Sequence, residues 1–366
     1  MKSLHSFNPL EHRRARLRAK LEELRLSCFL ATDPLNVFYL TGFRGSAGAA
    51  VLRDSGTVLW VDPRYTLQAR EDAQGAEVIE ERGPLLKAAA RWLRKRKLRR
   101  VGFEGDHVTC NGLRALQNEG GGRLRFEPTS GLVEDLRSLK DAGEIALIRQ
   151  AGQVTVEALE ETLREVRPGA KERDLAAEID YRMRQKGAEG PAFETIVASG
   201  QRAAYPHARA SNKELGKGEL VIFDLGAILE GYAADMTRTF YLGRPSGRTE
   251  RLYKAVLEAQ HRAVEALRPG VRASAVDLAA RRALERRRLA KYFTHSTGHG
   301  VGLNIHEKPR LARKEKTRIE AGSVVTAEPG IYIEGVGGIR LEDTVLVTEK
   351  GHEVLTPAPM DRWIIS

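Results

Sequence analysis

The sequence predicts a mixed α/β (α+β) chain of two units in series, the second built from an internal duplication. Three observations carry this. Short apolar, β-prone runs alternate with helical patterns up to about Gly131, the signature of a sheet covered by helices. From Leu132 the pattern changes to long helices followed by paired strands. Arg167-Pro168-Gly169, followed by Asp174-Leu175-Ala176-Ala177, returns about a hundred residues later as Arg268-Pro269-Gly270 followed by Asp277-Leu278-Ala279-Ala280. The division is placed between residues 1–132 and 133–366.

Taken in order, residues 10–26 read as an amphipathic helix with Leu17, Leu21 and Leu24 on one face. Residues 27–31 turn to strand, and Asp33-Pro34 breaks it. Residues 38–52 alternate strand-like segments with small residues, 57–61 form a further strand, and 77–80 another. Residues 83–98 read as helix. In the second unit, residues 141–166 form a long helix stopped by Arg167-Pro168-Gly169, and 171–186 a second. Because each copy of the repeat is a helix, an Arg-Pro-Gly stop and a helix, each should lead into a similar sheet element.

Residues 220–242, LVIFDLGAILEGYAADMTRTFYL, supply that element in the first copy as an antiparallel hairpin. Folded about Leu229-Glu230, it sets Asp224 opposite Asp235. Such aspartates otherwise cap turns or face solvent, but Ile222, Phe223 and Leu225 mark a buried strand, where a carboxylate needs a partner. Two like charges across a ladder destabilise it unless a cation lies between them. In the second copy, counting about Gly335 sets Glu328 opposite Glu342. The duplication therefore delivers four acids.

Between the hairpins lies HSTGHGVGLNIHE, residues 295–307. Glycine at 298, 300 and 302 argues against a helix, and the phosphate-loop pattern is not satisfied. As a strand, His295 and His299 share a face. Any one of these histidines alone would read as a core residue; three within this short segment, with His306, point to a site. Four carboxylates balance two divalent cations, and an imidazole adds a neutral nitrogen. Oxygen-rich ligation favours manganese or cobalt over a sulfur-type zinc site, with zinc not excluded by affinity order.

Composition narrows the alternatives. The chain has 366 residues, 42% hydrophobic and 30% charged, enough for two domains. No apolar run approaches the roughly eighteen residues of a membrane span. The basic start lacks an apolar core, so no secretory signal is expected. Cys28 and Cys110 form no CxxC pair, which fits a reducing cytosol. The net charge of +11 includes the run RWLRKRKLRR at 91–100. With Trp92 its one aromatic and Glu104 and Asp106 close behind, it reads as a solvated helix end rather than a nucleic-acid patch.

Asp224, Asp235, His299, Glu328 and Glu342, in the settings FDLGAILEGYAADMTRTF, HSTGHGVGLNIHEKP, TAEPGIYI and GIRLED, closely resemble the pita-bread metallopeptidases, in the branch of proline dipeptidase (prolidase) and aminopeptidase P. The likeness covers essentially the whole chain, its first part resembling the creatinase-type N-terminal domain. It implies cleavage of the bond before a proline, releasing the N-terminal residue. It implies that Asp224 binds one metal, His299 and Glu328 the other, and that Asp235 and Glu342 bridge both, with Glu328 also the proton acceptor. His207, His295 and His306 match the family's further histidines, which serve the leaving proline nitrogen and the oxyanion. Arg340, Tyr232 and Tyr332 are read as supports of ligands and substrate. Arg44, between glycines in TGFRGSAG, is read as a bidentate clamp for a dipeptide's carboxylate. The expected enzyme is thus a cytoplasmic, manganese-dependent Xaa-Pro dipeptidase, homodimeric by the resemblance, with small peptides as partners and neither nucleic acid nor membrane. The alternatives are aminopeptidase P acting on longer peptides, methionine aminopeptidase, creatinase, and a catalytically inactive basic scaffold.

Overall fold

In the computed structural model, which describes residues 8–365, the first unit ends at Arg137 and the second begins at Ser138. The first unit is a six-stranded sheet in the order Ala76–Glu80, Gly56–Val61, Gly48–Arg53, Cys28–Ala31, Arg100–Glu104, Arg125–Thr129. Gly48–Arg53 is antiparallel to both neighbours, and the outer pairings are parallel. Leu30, Val51, Val58, Trp60, Val101 and Phe103 form its core with Ala89 and Leu93 of the helix Leu85–Lys95.

One element differs from expectation. Residues 38–41 are not strand but the end of a helix, Pro34–Thr41. Asp33 caps it by accepting from the Leu35 amide, Pro34 supplies a pre-set first turn, and Gly42 closes it in the left-handed region at φ 84°. The Asp33-Pro34 pair thus ends one element and starts the next. The basic residues Arg94 to Lys97 are exposed, and the Trp92 ring lies 3.8 Å from the Arg96 guanidinium carbon and 5.2 Å from that of Arg53.

The second unit shows the duplication in its hydrogen bonds. Gly169 N–H donates to Leu215 O at 2.9 Å and Gly270 N–H to Ile319 O at 2.8 Å, while Lys171 bridges Glu214 and Arg272 bridges Arg318. Each half has its own core. Helices Ala142–Thr162 and Glu172–Gln185 pack Leu159, Leu175 and Ile179 on Val221, Phe223, Leu225 and Phe240. Helices Gly247–Ala266 and Ala273–Arg286 pack Val256, Val276 and Leu284 on Val325, Ala327 and Val345.

The first hairpin is two residues out of the expected register. Leu225 pairs with Met236 and Asp224 with Thr237, so Asp235 is not opposite Asp224. The turn is the cause. Its two central residues are Glu230 and Gly231, at φ 47° and 82°, flanked by the pair Leu229 and Tyr232; a two-residue hairpin turn with positive φ at both positions wants glycine second. A slip of two keeps every side chain on its face. Gly226, across from Asp235, accommodates the crossing, since a Cβ there would lie 1.9 Å from Ala234 O. The second half keeps the expected register: Gly330 pairs with Arg340, and beyond them Ala327 with Asp343, leaving Glu328 and Glu342 facing each other between two ladders.

Candidate active site

Period-two alternation sorts the strand Leu220–Leu225: Val221, Phe223 and Leu225 enter the core, while Asp224 lines a cavity of about 640 Å³. Asp235, Glu328, Glu342, His207, His295, His299, His306 and Arg340 line the same cavity. Three of the acids are held by bonds from their own backbone amides. Asp235 N–H donates to Thr344 Oγ1, Glu328 N–H to Thr297 O and Glu342 N–H to Thr237 O. Gly298 lets the His299 strand approach closely, because a Cβ there would lie 2.0 Å from Thr326 O.

Donor atoms of Asp235, His299 and Glu342 all lie within 4.8 Å of one another. His299 Nδ1–H donates to Gly300 O at 3.1 Å, which leaves Nε2 bare, 3.5 Å from Glu328 Oε1 and 3.7 Å from Asp235 Oδ2. Arg340, buried, donates to Asp224 through Nη2, to Tyr332 Oη (2.7 Å) and Pro206 O (3.1 Å) through Nη1, and to Thr237 Oγ1 (3.0 Å) through Nε. Thr237 in turn donates to Glu342 Oε2 at 2.6 Å. His295 Nδ1–H donates to Ser296 O at 2.8 Å, so its Nε2 accepts from Tyr332 O–H at 2.9 Å. The His299 and His306 rings are 4.3 Å apart.

Burial sets the electrostatics. It pushes Glu328 up to about 7, with Arg340 pulling down and Asp224 pushing up. Burial, then repulsion from the neighbouring acids, holds Asp235 and Glu342 well above the ordinary range. Burial lowers His295 and His299 to about 4, so both are neutral, and lifts Tyr332 to about 12. Oxygen donors that repel one another around a neutral imidazole nitrogen fit a divalent cation.

Of the further residues read as site components, Tyr232, Tyr332 and Arg44 have different surroundings. Tyr232 does not line the cavity; its buried hydroxyl donates to Glu144 Oε1 at 3.0 Å. Arg44 belongs to the first unit, exposed, its guanidinium 5.4 Å from the Phe38 ring centre. Tyr332 is present through its bonds to His295 and Arg340. Thr237 and the wall residues Phe193, Ile305 and Arg310 were not singled out from the sequence. A signal existed for two of them: Thr237 is two residues past Asp235 on a strand, and Arg310 continues the alternation His306, Lys308.

Residues 146–349 match metallopeptidase family M24, and residues 13–139 match the creatinase/prolidase N-terminal domain. The chain is 36% identical over 329 residues to an Xaa-Pro dipeptidase of Pyrococcus horikoshii, covering 89% of this chain and 91% of that protein. The structure of an Xaa-Pro dipeptidase from Bacillus anthracis superposes with a TM-score of 0.94 at 37% identity, covering 97% of this chain and all of that one. An X-Pro aminopeptidase from Thermotoga maritima superposes with a TM-score of 0.88 at 34% identity, covering 94% and 100%. The chain belongs to metallopeptidase family M24.

Proposed function

We propose that this M24 metallopeptidase is a cytoplasmic Xaa-Pro dipeptidase that works with two divalent cations, manganese by preference. The observation that carries the proposal is the convergence of Asp224, Asp235, Glu328, Glu342 and His299, drawn from separate segments, in one cavity walled by three further histidines. Those five side chains would hold the cations. When bound, the cations supply Lewis acidity and make a water acidic near neutral pH.

The chain's own groups do the rest. Glu328, largely buried in the cavity among the other acids, is placed to take a proton from the attacking water. His295, fixed by Ser296 and Tyr332 with Nδ1 3.8 Å from Glu328 Oε2, supports that carboxyl. His207 and His306 face the cavity and serve the oxyanion and the departing proline nitrogen, which leaves as a secondary amine and must be protonated. Phe193, Ile196 and Ile305 give the cavity an apolar wall suited to a proline ring.

A dipeptide presents a carboxylate just beyond the proline. Of the cavity arginines, Arg340 is committed to Asp224 and Arg209 to Glu194, whereas Arg310 makes no ion pair among the described residues. Arg310 therefore receives that carboxylate in this reading. The exposed free thiol of Cys110 suits a reducing compartment, and the family resemblance implies a homodimer. The test is hydrolysis of Xaa-Pro against Xaa-Pro-Yaa in manganese, by wild type and Arg310→Ala. The expected result is a dipeptide preference that Arg310→Ala removes by raising KM for the dipeptide about tenfold or more. Equal or better cleavage of the longer peptide by wild type would favour an aminopeptidase P activity instead.

A further inference from the structure

Each half of the duplicated unit holds a fully buried acid paired with an arginine, partly exposed in the first half and buried in the second, that no step above uses. In the first half, Glu172 opens its helix and is fully buried. Its Oε1 accepts from Ser199 N–H (2.8 Å) and Oγ–H (2.9 Å). Its Oε2 accepts from Ser211 N–H (3.1 Å), Ser211 Oγ–H (2.6 Å) and Arg202 Nε (3.0 Å). One carboxylate thus joins both ends of segment 199–211, which carries His207, and Arg202 closes the middle by donating to Arg209 O.

In the second half, Asp277 lies one turn inside its helix, also fully buried. Its Oδ1 accepts from Thr297 N–H (3.2 Å) and Oγ–H (2.8 Å), and its Oδ2 from Arg281 Nε (2.7 Å). Arg281 donates onward to Phe293 O (3.0 Å) and His295 O (2.5 Å) and lies over the Phe293 ring at 4.2 Å. The pair therefore grips segment 293–297 on both sides of His295. Burying such charges is unfavourable, and apolar packing would hold two helices as well. What apolar packing does not supply is a fixed backbone for a side chain that must meet a reacting atom.

We propose that Glu172–Arg202 and Asp277–Arg281 are positioning pairs, the first for His207 and the second for His295. The proposal rests on the peptidase reading for its kinetic consequence, but its structural content stands apart from it. The experiment combines Glu172→Gln and Asp277→Asn with His207→Ala and His295→Ala in the manganese-loaded full chain. Metal content, thermal unfolding and kcat/KM on an Xaa-Pro dipeptide are measured for each single and double variant.

Each clamp variant is expected to lose about 10²-fold in kcat/KM, the scale of a small misplacement, with metal content unchanged. Glu172→Gln should add nothing to His207→Ala, nor Asp277→Asn to His295→Ala, while the crosswise pairs multiply. Same-half pairs that multiply as the crosswise ones do, or clamp variants with wild-type kcat/KM, would overturn it. If a clamp variant does not fold, Ser211→Ala and Thr297→Val remove one donor each and are read by the same cycles. Amide exchange gives an answer without activity: Glu172→Gln should speed exchange in 199–211 alone, and Asp277→Asn in 293–297 alone. Unchanged exchange in the cognate segment overturns the proposal. A wild type that cleaves no Xaa-Pro substrate but shows the exchange pattern overturns only the peptidase reading.

Discussion

Glu328 meets His299 and His295 while largely buried, with the charge of Arg340 close by, and its place in the cavity suits it to accept the proton of the attacking water. Glu328→Gln keeps the shape and removes the base, so kcat should fall by roughly 10²- to 10⁴-fold while thermal unfolding stays cooperative. Glu172 behaves in the opposite sense. Burial would raise it, but bonds from Ser211, Ser199 and Arg202 outweigh that and hold it below the ordinary range. A depressed carboxyl stabilises the fold above its unfolded pKa of about 4.3, and that contribution is lost as pH falls through the lower folded value. The unfolding-temperature gap between wild type and Glu172→Gln should therefore be full at pH 6 and shrink below about pH 4; a gap that widens toward acid contradicts this assignment. The acids and His299 were legible because buried acids on β-prone runs are conspicuous. Arg310 and Thr237 were not, since nothing in a single arginine or threonine marks a cavity wall except the alternation of its strand.

Among the elements, the first hairpin shows where reading residues in a line falls short. The strands were evident from their apolar runs, but their register depended on which pair formed the turn, and positive φ at Glu230 and Gly231 decided it. The helix Pro34–Thr41 was hidden for a related reason: its β-branched and aromatic composition resembles a strand, and Asp33, Pro34 and Gly42 override that composition as caps. Gly226 gives the hairpin a sharp test. Gly226→Ala drives a Cβ into Ala234 O and should destabilise the protein by roughly 1–3 kcal/mol or more in denaturant unfolding. Gly351→Ala, with nothing within 4 Å, should be neutral or slightly stabilising. Equal effects would refute the close approach.

Across the whole molecule, the duplication was legible because the Arg-Pro-Gly stops recur, and it is what gives each half two acids. Less legible was how the halves are locked. Arg238, fully buried, donates to Ala358 O, Thr356 O, Glu342 O and Asp343 Oδ1, joining the first half's strand to the second half's Glu342 and to the C-terminal segment. Arg238→Met should cost roughly 3–5 kcal/mol by leaving Asp343 buried without its cation. A loss within about 0.5 kcal/mol in denaturant unfolding would show the lock to be dispensable. The central claim, that acids from both halves act together around cations, is tested most directly by stripping the protein with chelator and adding manganese back while following Xaa-Pro hydrolysis and bound metal. The account predicts no hydrolysis in the stripped protein and recovery in step with about two ions per chain, with recovery lost in Asp235→Asn. Full activity in protein shown to be free of metal would contradict it.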